Sequence, residues 1–470
     1  MSGRLTLRNV EVEGVGGLDV RLDGGRIAAI GRSLAGGGPE LDGAGGGLIP
    51  GLIDHHVHLL ALAAQADSIA LDTAQAAADL AQRIGAAAAG RAPGAWLRAT
   101  GYHERVAGVL GAAELDRLAP GHALRVQHRS GALWMLNSLA LERVLGAEPP
   151  PPCVEIDEAG RPTGRIWRGD DWLRTRIGSA PPPLAPIGRV FAACGVTGLT
   201  DASATTDAAA ADLLAAARRA GALPQRLMLM SAGELCAQPG VMVGPVKVLL
   251  DEHDLPDLDD LTARIGLARR WGRRVAIHCV TAVELAVSLA AFEAAGAAPG
   301  DRIEHGGLIP EAAIGSLKAL GLTVVTQPGF ILERGDRYLA EVAAADQDSL
   351  YRIDSLLGAG VSVAGSSDAP YSSPDPWLAI AAATARRTRL GQTVGAGEGV
   401  APARALGLWL GGFEDPGGPP RRVAVGAAAD LCLLTTPLAQ ALVEPDAERV
   451  AATLVGGEVV YERGSERPAA

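Results

Sequence analysis

Residues 48 to 60 read Leu48-Ile49-Pro50-Gly51-Leu52-Ile53-Asp54-His55-His56-Val57-His58-Leu59-Leu60, and they leave the chain few options. An apolar run led in by Pro and Gly has the pattern of a buried strand, and this one ends in closely spaced imidazoles. Side chains alternate between the faces of a strand, so His56 and His58 point the same way, roughly 6.5 Å apart along it. Two neutral imidazoles on one face at a strand end suit a divalent metal. His55 points to the opposite face and is expected to pack there or to support the ligands. A histidine pair alone fits ordinary histidines equally well, so the rest of the chain must decide.

At 470 residues the chain can bury one large core and carry a smaller domain or insertion besides. Its apolar stretches are too short to cross a bilayer. The opening Met1-Ser2-Gly3-Arg4 runs into a strand-like pattern with no apolar signal core, so a cytoplasmic location is expected. Five scattered cysteines without CxxC spacing suggest neither a disulfide framework nor a thiolate zinc site. A net charge of −11 argues for solubility and against nucleic acid or an anionic membrane as partner. One bias is sharper. Arg supplies nearly every cation, and Lys247 and Lys318 are the only lysines. Lys247 sits inside an apolar strand, which asks what arginine cannot do there.

In chain order, residues 4 to 31 alternate as short strands with a turn at Asp23-Gly24-Gly25. Arg422 to Leu434 and Ala451 to Glu462 do the same near the other end. Together they predict a small β-sandwich built from 1–48 plus 415–470. Residues 72 to 90 are Ala-rich and helical, with Asp72 or Thr73 as the expected N-cap. From about 95 to 190 the pattern is irregular, broken by the Pro149–Pro152 run, with a hairpin turn at Asp157-Glu158-Ala159-Gly160. Residues about 60–190 therefore read as an insertion, expected to fold over the barrel mouth.

A strict alternation begins at 184. Strands are predicted at 197–202, 225–231, 245–251, 274–279, 302–306, 323–327 and 361–367, most separated by helices such as 258–271, 282–297 and 310–320. With the histidine strand this makes eight, the order of a (β/α)8 barrel over 49–414 with catalytic groups at the C-terminal strand ends. Those ends carry His278, His305 and Asp368, while Lys247 lies within the Pro245-Val246-Lys247-Val248 strand. Each alone has an ordinary explanation as a satisfied histidine, a helix cap or a paired lysine. Four imidazoles, one acid and one unusual lysine on these strands point jointly to a metal site.

At this point the sequence resembles the amidohydrolase superfamily of metal-dependent hydrolases. Pro50-Gly51-Leu52-Ile53-Asp54-His55-His56-Val57-His58 looks like its first-strand HxH motif. The resemblance covers nearly the whole chain, and within the superfamily it is to the type related to N-substituted formamide deformylase. Supporting stretches are Leu136 to Leu141, Pro162-Thr163-Gly164, Thr326-Gln327-Pro328 and Gly365 to Pro370, followed by Asp375-Pro376-Trp377. It implies that His56 and His58 with Asp368 bind the more buried metal and His278 and His305 the second. Lys247 matches the position of a carboxylated lysine bridging both. An amine can add carbon dioxide when neutral, whereas a guanidinium stays protonated, and burial in an apolar strand favours the neutral amine.

The implied chemistry is attack on a carbonyl carbon by a hydroxide shared between two metals roughly 3.5–4 Å apart. Asp368 acts as base and then as acid for the leaving amine. Two zinc ions are expected from the His-rich set, with iron, nickel or manganese as alternatives. The substrate bond is a non-peptide C–N bond of an amide, formamide or cyclic amide. Arg129, Asn137, Gln327, Arg352, Tyr371 and Trp377 are pocket candidates by position or resemblance. One departure stands out: related sequences often have Ser-Gly-His before the Asn-Ser pair, where this chain has Ser130-Gly131-Ala132, with His128 out of register. The first alternative is a mononuclear deaminase using His56, His58, His278 and Asp368 with Lys247 unmodified. The second is a non-catalytic scaffold, which the intact ligand set disfavours. A homodimer is implied by resemblance only.

Overall fold

The computed structural model describes residues 4–35, 38–146, 148–178 and 181–465. The first three residues of the N-terminal segment, and 36–37 and 466–470 of the expected sandwich ranges, lie outside the described residues. The chain divides into two compact units, Met1–Leu59 with Leu184–Ala470, and Leu60–Pro183.

The first unit contains the barrel. Its eight parallel strands run, in sheet order, through Leu52–Val57, Val196–Asp201, Arg226–Ser231, Val241–Val248, Val275–Cys279, Arg302–His305, Thr323–Thr326 and Ser362–Gly365. They are called strands one to eight below. Helices such as Leu258–Arg270, Ala282–Ala295 and Glu311–Ala319 follow strands four, five and six, whereas strands three and four are joined by a loop alone. Runs like Val275-Ala276-Ile277 are buried on both faces, as parallel strands covered by helices must be.

The seam between strands eight and one is closed by main-chain bonds just beyond the strand ends. Asp368 N donates to His56 O at 2.8 Å, and His58 N donates to Ala369 O at 2.8 Å. Asp54 reinforces the seam, accepting from Ser367 N at 3.1 Å and from the Ser367 hydroxyl. Burial raises the Asp54 carboxyl to about 7.

The sandwich packs one sheet of Leu5–Val12, Val15–Asp23, Arg26–Gly31 and Glu40–Asp42 against another of Leu48–Pro50, Leu431–Leu434, Val450–Val455 and Glu458–Glu462. Leu7, Val20, Leu22, Leu431 and Leu454 fill the space between. Pro50 ends a sandwich strand and Leu52 starts the barrel. Gly51 joins them because a Cβ there would collide with the Thr197 side chain.

The second unit differs from the irregular insertion read from sequence. Its six strands lie in the order Val154–Ile156, Pro162–Trp167, Leu133–Leu136, Ala123–His128, Trp96–Tyr102 and Ile69–Ala70. The last three run parallel and the others antiparallel. Apolar clusters around Leu97, Leu124 and Val126, and around Trp134, Leu136 and Ile166, form its cores. The helix expected over 72–90 runs Ala77–Ala89, with Ala76 and not Asp72 or Thr73 at the N-cap. Ile69–Ala70 pair with the strand at Trp96–Tyr102, so the chain needs the intervening residues to turn away from the sheet.

Candidate metal centre

Two walls form the site. Strand one and the turn after strand eight bring His56, His58 and Asp368 together, with one ligand atom from each lying within 4.8 Å of the others. Asp368 Oδ1 stands 3.4 Å from His56 Nε2 and 3.1 Å from His58 Nε2. The imidazole centroids of His56 and His58 are 5.3 Å apart. Each ring is held from behind: His56 Nδ1 by Glu304, and His58 Nδ1 by Ser203 Oγ at 3.1 Å. Glu304 is itself paired with Arg302, which also donates to His55 O at 2.7 Å.

Strands four to six carry Lys247, His278 and His305. The His305 ring lies 4.4 Å from that of His278 and 4.8 Å from that of His56, so it joins the walls. Strict alternation would send Glu304 and His305 to opposite faces. A φ of +69° at His305 ends the alternation, and both reach His56. Asp368 also has a left-handed backbone, φ +56°. Such conformations in non-glycine residues cost on the order of 1–3 kcal/mol and persist only when the surroundings impose them.

Burial acts on the protonation of His56, His278 and His305. It holds His56 and His305 well below the usual histidine range, and lowers His278 to about 4, with Lys247 adding to each. Neutral rings have the lone pairs that ligation requires. Burial likewise lowers Lys247, against the opposing charges of Glu304 and Asp368. For Glu304, burial would raise the carboxyl, but Arg302 and Lys247 outweigh it and keep it low.

Among the described residues, three buried polar atoms of the site make no hydrogen bond: His56 Nε2, Asp368 Oδ1 and Lys247 Nζ. Buried polar atoms without partners are costly unless something else satisfies them. Imidazole nitrogens beside a carboxylate oxygen form the donor set for a zinc-like divalent ion. The residues fit a metal.

A model of the amidohydrolase family matches residues 40–461. The chain belongs to the amidohydrolase family. It is a metal-dependent hydrolase of carbon–nitrogen bonds other than peptide bonds. This amidohydrolase is 27% identical over 519 aligned residues to an N-substituted formamide deformylase of Arthrobacter pascens, with 94% of this chain and 95% of that protein covered. Among solved structures, an uncharacterized metal-dependent hydrolase from Pyrococcus furiosus superposes with a TM-score of 0.73 at 20% identity, over 91% of this chain and 98% of that one. An atrazine chlorohydrolase variant from Arthrobacter aurescens, complexed with zinc and atraton, gives 0.56 at 14% identity, over 98% and 97%. Both likenesses are of fold.

The remaining predicted residues of the amidohydrolase divide by environment. Tyr371 is 56% exposed and its ring meets His58 edge-on at 5.7 Å. Gln327 is fully buried, bonded to His305 Nδ1 at 2.9 Å and donating to Ser366 Oγ at 2.9 Å. Arg352 binds Glu311 and donates to Ser349 Oγ at 3.1 Å. Trp377 is enclosed, its indole donating to Cys194 O at 3.0 Å. In the second unit, Arg129 is exposed, and Asn137 is buried as the N-cap of helix Ser138–Leu145, accepting from Ala140 N at 3.0 Å. His55 is enclosed, and neither ring nitrogen is hydrogen-bonded among the described residues.

Sequence reasoning passed over Glu304, Arg302 and Ser203. Arg302-Ile303-Glu304 carried a signal, because opposite charges two apart in a buried strand share a face. Ser203 follows strand two with no motif to mark it, and its amide donates to Asp201 Oδ1 at 3.0 Å.

Proposed function

We propose that this amidohydrolase cleaves a neutral small-molecule amide, formamide or cyclic amide, with Asp368 as general base and then general acid. The proposal includes two divalent metals, zinc first, held by His56, His58, His278, His305, Asp368 and an N6-carboxylated Lys247. The observation that carries it is the position of Asp368 Oδ1, buried and without a hydrogen bond between His56 Nε2 and His58 Nε2. When bound, the metal lowers the pKa of water toward about 7 and polarises a carbonyl oxygen.

The chain's own residues supply the rest. Asp368 accepts the proton of the attacking water and passes it to the nitrogen as the new C–O bond forms and the C–N bond breaks. The products are an amine and a carboxylic acid, carried on one molecule where the amide is cyclic. Protonation of nitrogen is what lets an amine leave, so one carboxylate serving both transfers removes the main barrier. Glu304, Ser203 and Gln327 keep the rings of His56, His58 and His305 aimed while this happens. Tyr371 is proposed to border the entering substrate, given its exposed ring against His58.

The mononuclear deaminase reading draws on the compactness of the His56, His58 and Asp368 group. Plasma mass spectrometry of protein expressed with zinc and bicarbonate separates the two. About two metals per chain, with amine and acid released from a panel of N-substituted formamides, is the expected result. About one metal with ammonia release would replace it by the deaminase. A folded, metal-free and inactive protein would favour the scaffold.

A further inference from the structure

Aromatic residues are scarce here, 3% of the chain, yet three of the five tyrosines, Tyr338, Tyr351 and Tyr371, fall in one band of the first unit. A chain of contacts connects them. Tyr338 stacks on Tyr351 with centroids 5.7 Å apart, and Tyr351 meets Phe330 edge-on at 5.6 Å. The Arg334 guanidinium lies 4.1 Å from the Phe330 ring centre and donates to Tyr371 O at 2.6 Å, and Tyr371 faces His58. The band therefore runs from the metal centre to a cavity of about 310 Å³, near the low end of the usual size for small-molecule sites.

That cavity begins where the ligands end. Val280 lies two residues beyond His278 and Gly307 two beyond His305, so its lining includes the loops that leave strands five and six at the catalytic end of the barrel. Val280, Leu308, Val342 and Leu350 make it apolar. The phenol oxygens of Tyr338 and Tyr351 are 3.2 Å apart and satisfy each other. Tyr351 is a fixed wall: its amide donates to Gly307 O at 3.0 Å, and the buried Arg386 donates to Tyr351 O at 3.0 Å and Leu350 O at 2.8 Å. Val280 nevertheless stays 40% exposed, an apolar side chain left open. Asp346, exposed and in the lining, disfavours an anionic occupant.

We infer that this cavity seats an apolar, uncharged substituent on the substrate nitrogen, so that the enzyme prefers bulky N-substituted amides to small ones. The inference rests on the amide-hydrolase reading above. Its physical basis is the release of water from apolar surface on both sides, in a wall already rigid before substrate arrives.

The test compares kcat/KM of the metal-loaded enzyme for N-phenethylformamide, N-methylformamide and an N-naphthylmethylformamide. Wild type is expected to favour phenethyl over methyl. Val280→Trp, which fills the opening, should lower the phenethyl-to-methyl ratio by about tenfold or more. Leu308→Ala, which enlarges the cavity, should raise naphthylmethyl relative to phenethyl by about tenfold. Ratios unmoved in both variants, with folding and metal content intact, would overturn the subsite alone. Turnover of none of the formamides by metal-loaded wild type would overturn the amide-hydrolase reading and the subsite with it.

Discussion

The two walls of the metal centre are finished to different degrees. On the wall from strands one and eight, Glu304 backs His56, Ser203 backs His58, and Asp368 is tied to His56 through its own amide. On the wall from strands four to six, Gln327 holds His305, but the Lys247 amine is buried with no hydrogen-bond partner among the described residues. An unsatisfied buried polar group costs about 1–3 kcal/mol. The first wall thus aims its rings through the chain's own bonds and leaves only ligand-facing atoms, His56 Nε2 and Asp368 Oδ1, without a hydrogen bond, while on the second the open atom is the Lys247 amine.

The largest effect belongs to the first wall. Asp368→Asn keeps the shape but loses the proposed proton acceptor, and kcat on a formamide substrate should fall by about a hundred- to ten-thousand-fold. A loss below tenfold would separate proton transfer from this wall. The second wall is tested by Lys247→Arg beside Lys247→Met. Because a guanidinium stays protonated, both variants should fall from about two metals per chain to about one, as counted by plasma mass spectrometry. Retention of both metals by the arginine variant would show that the amine takes no part in ligation.

Support behind the ligands should matter less. Ser203→Ala on one wall and Gln327→Ala on the other are each expected to weaken metal affinity by about 10–100-fold, read by chelator competition. A large effect at Ser203 alone would show that the second wall contributes little. The smallest effect has the most telling sign. With metal removed, Lys247→Met should be more stable than wild type by about 1–3 kcal/mol, because the unpaired amine is gone. With metal restored the order should reverse, and melting curves with and without chelator report both.

The eight barrel strands are legible in sequence because each contains a short, largely buried apolar run, and most of them end at or beside a polar residue. The second unit is much less so. Its strand at Trp96–Tyr102 pairs with Ala123–His128 across two intervening helices, and Ile69–Ala70 is a strand of only two residues. Neither a two-residue strand nor a parallel partner remote in sequence leaves a periodic signal. Asn137 shows the same limit from another side: its role as a buried cap depends on a helix beginning at Ser138.

Alternation and residue chemistry are local and covalent, so the sequence by itself determined that His56 and His58 stand two apart at one strand end and that Lys247, His278, His305 and Asp368 are of ligand type. Closure of the barrel decided which groups meet. His56 and Glu304 are 248 residues apart and hydrogen-bonded, and Asp368 reaches His56 only because strands eight and one close the seam. The left-handed turn at His305 is likewise imposed by its neighbours. Only packing supplies the free energy to hold a non-glycine residue there, and packing exists only in the folded molecule.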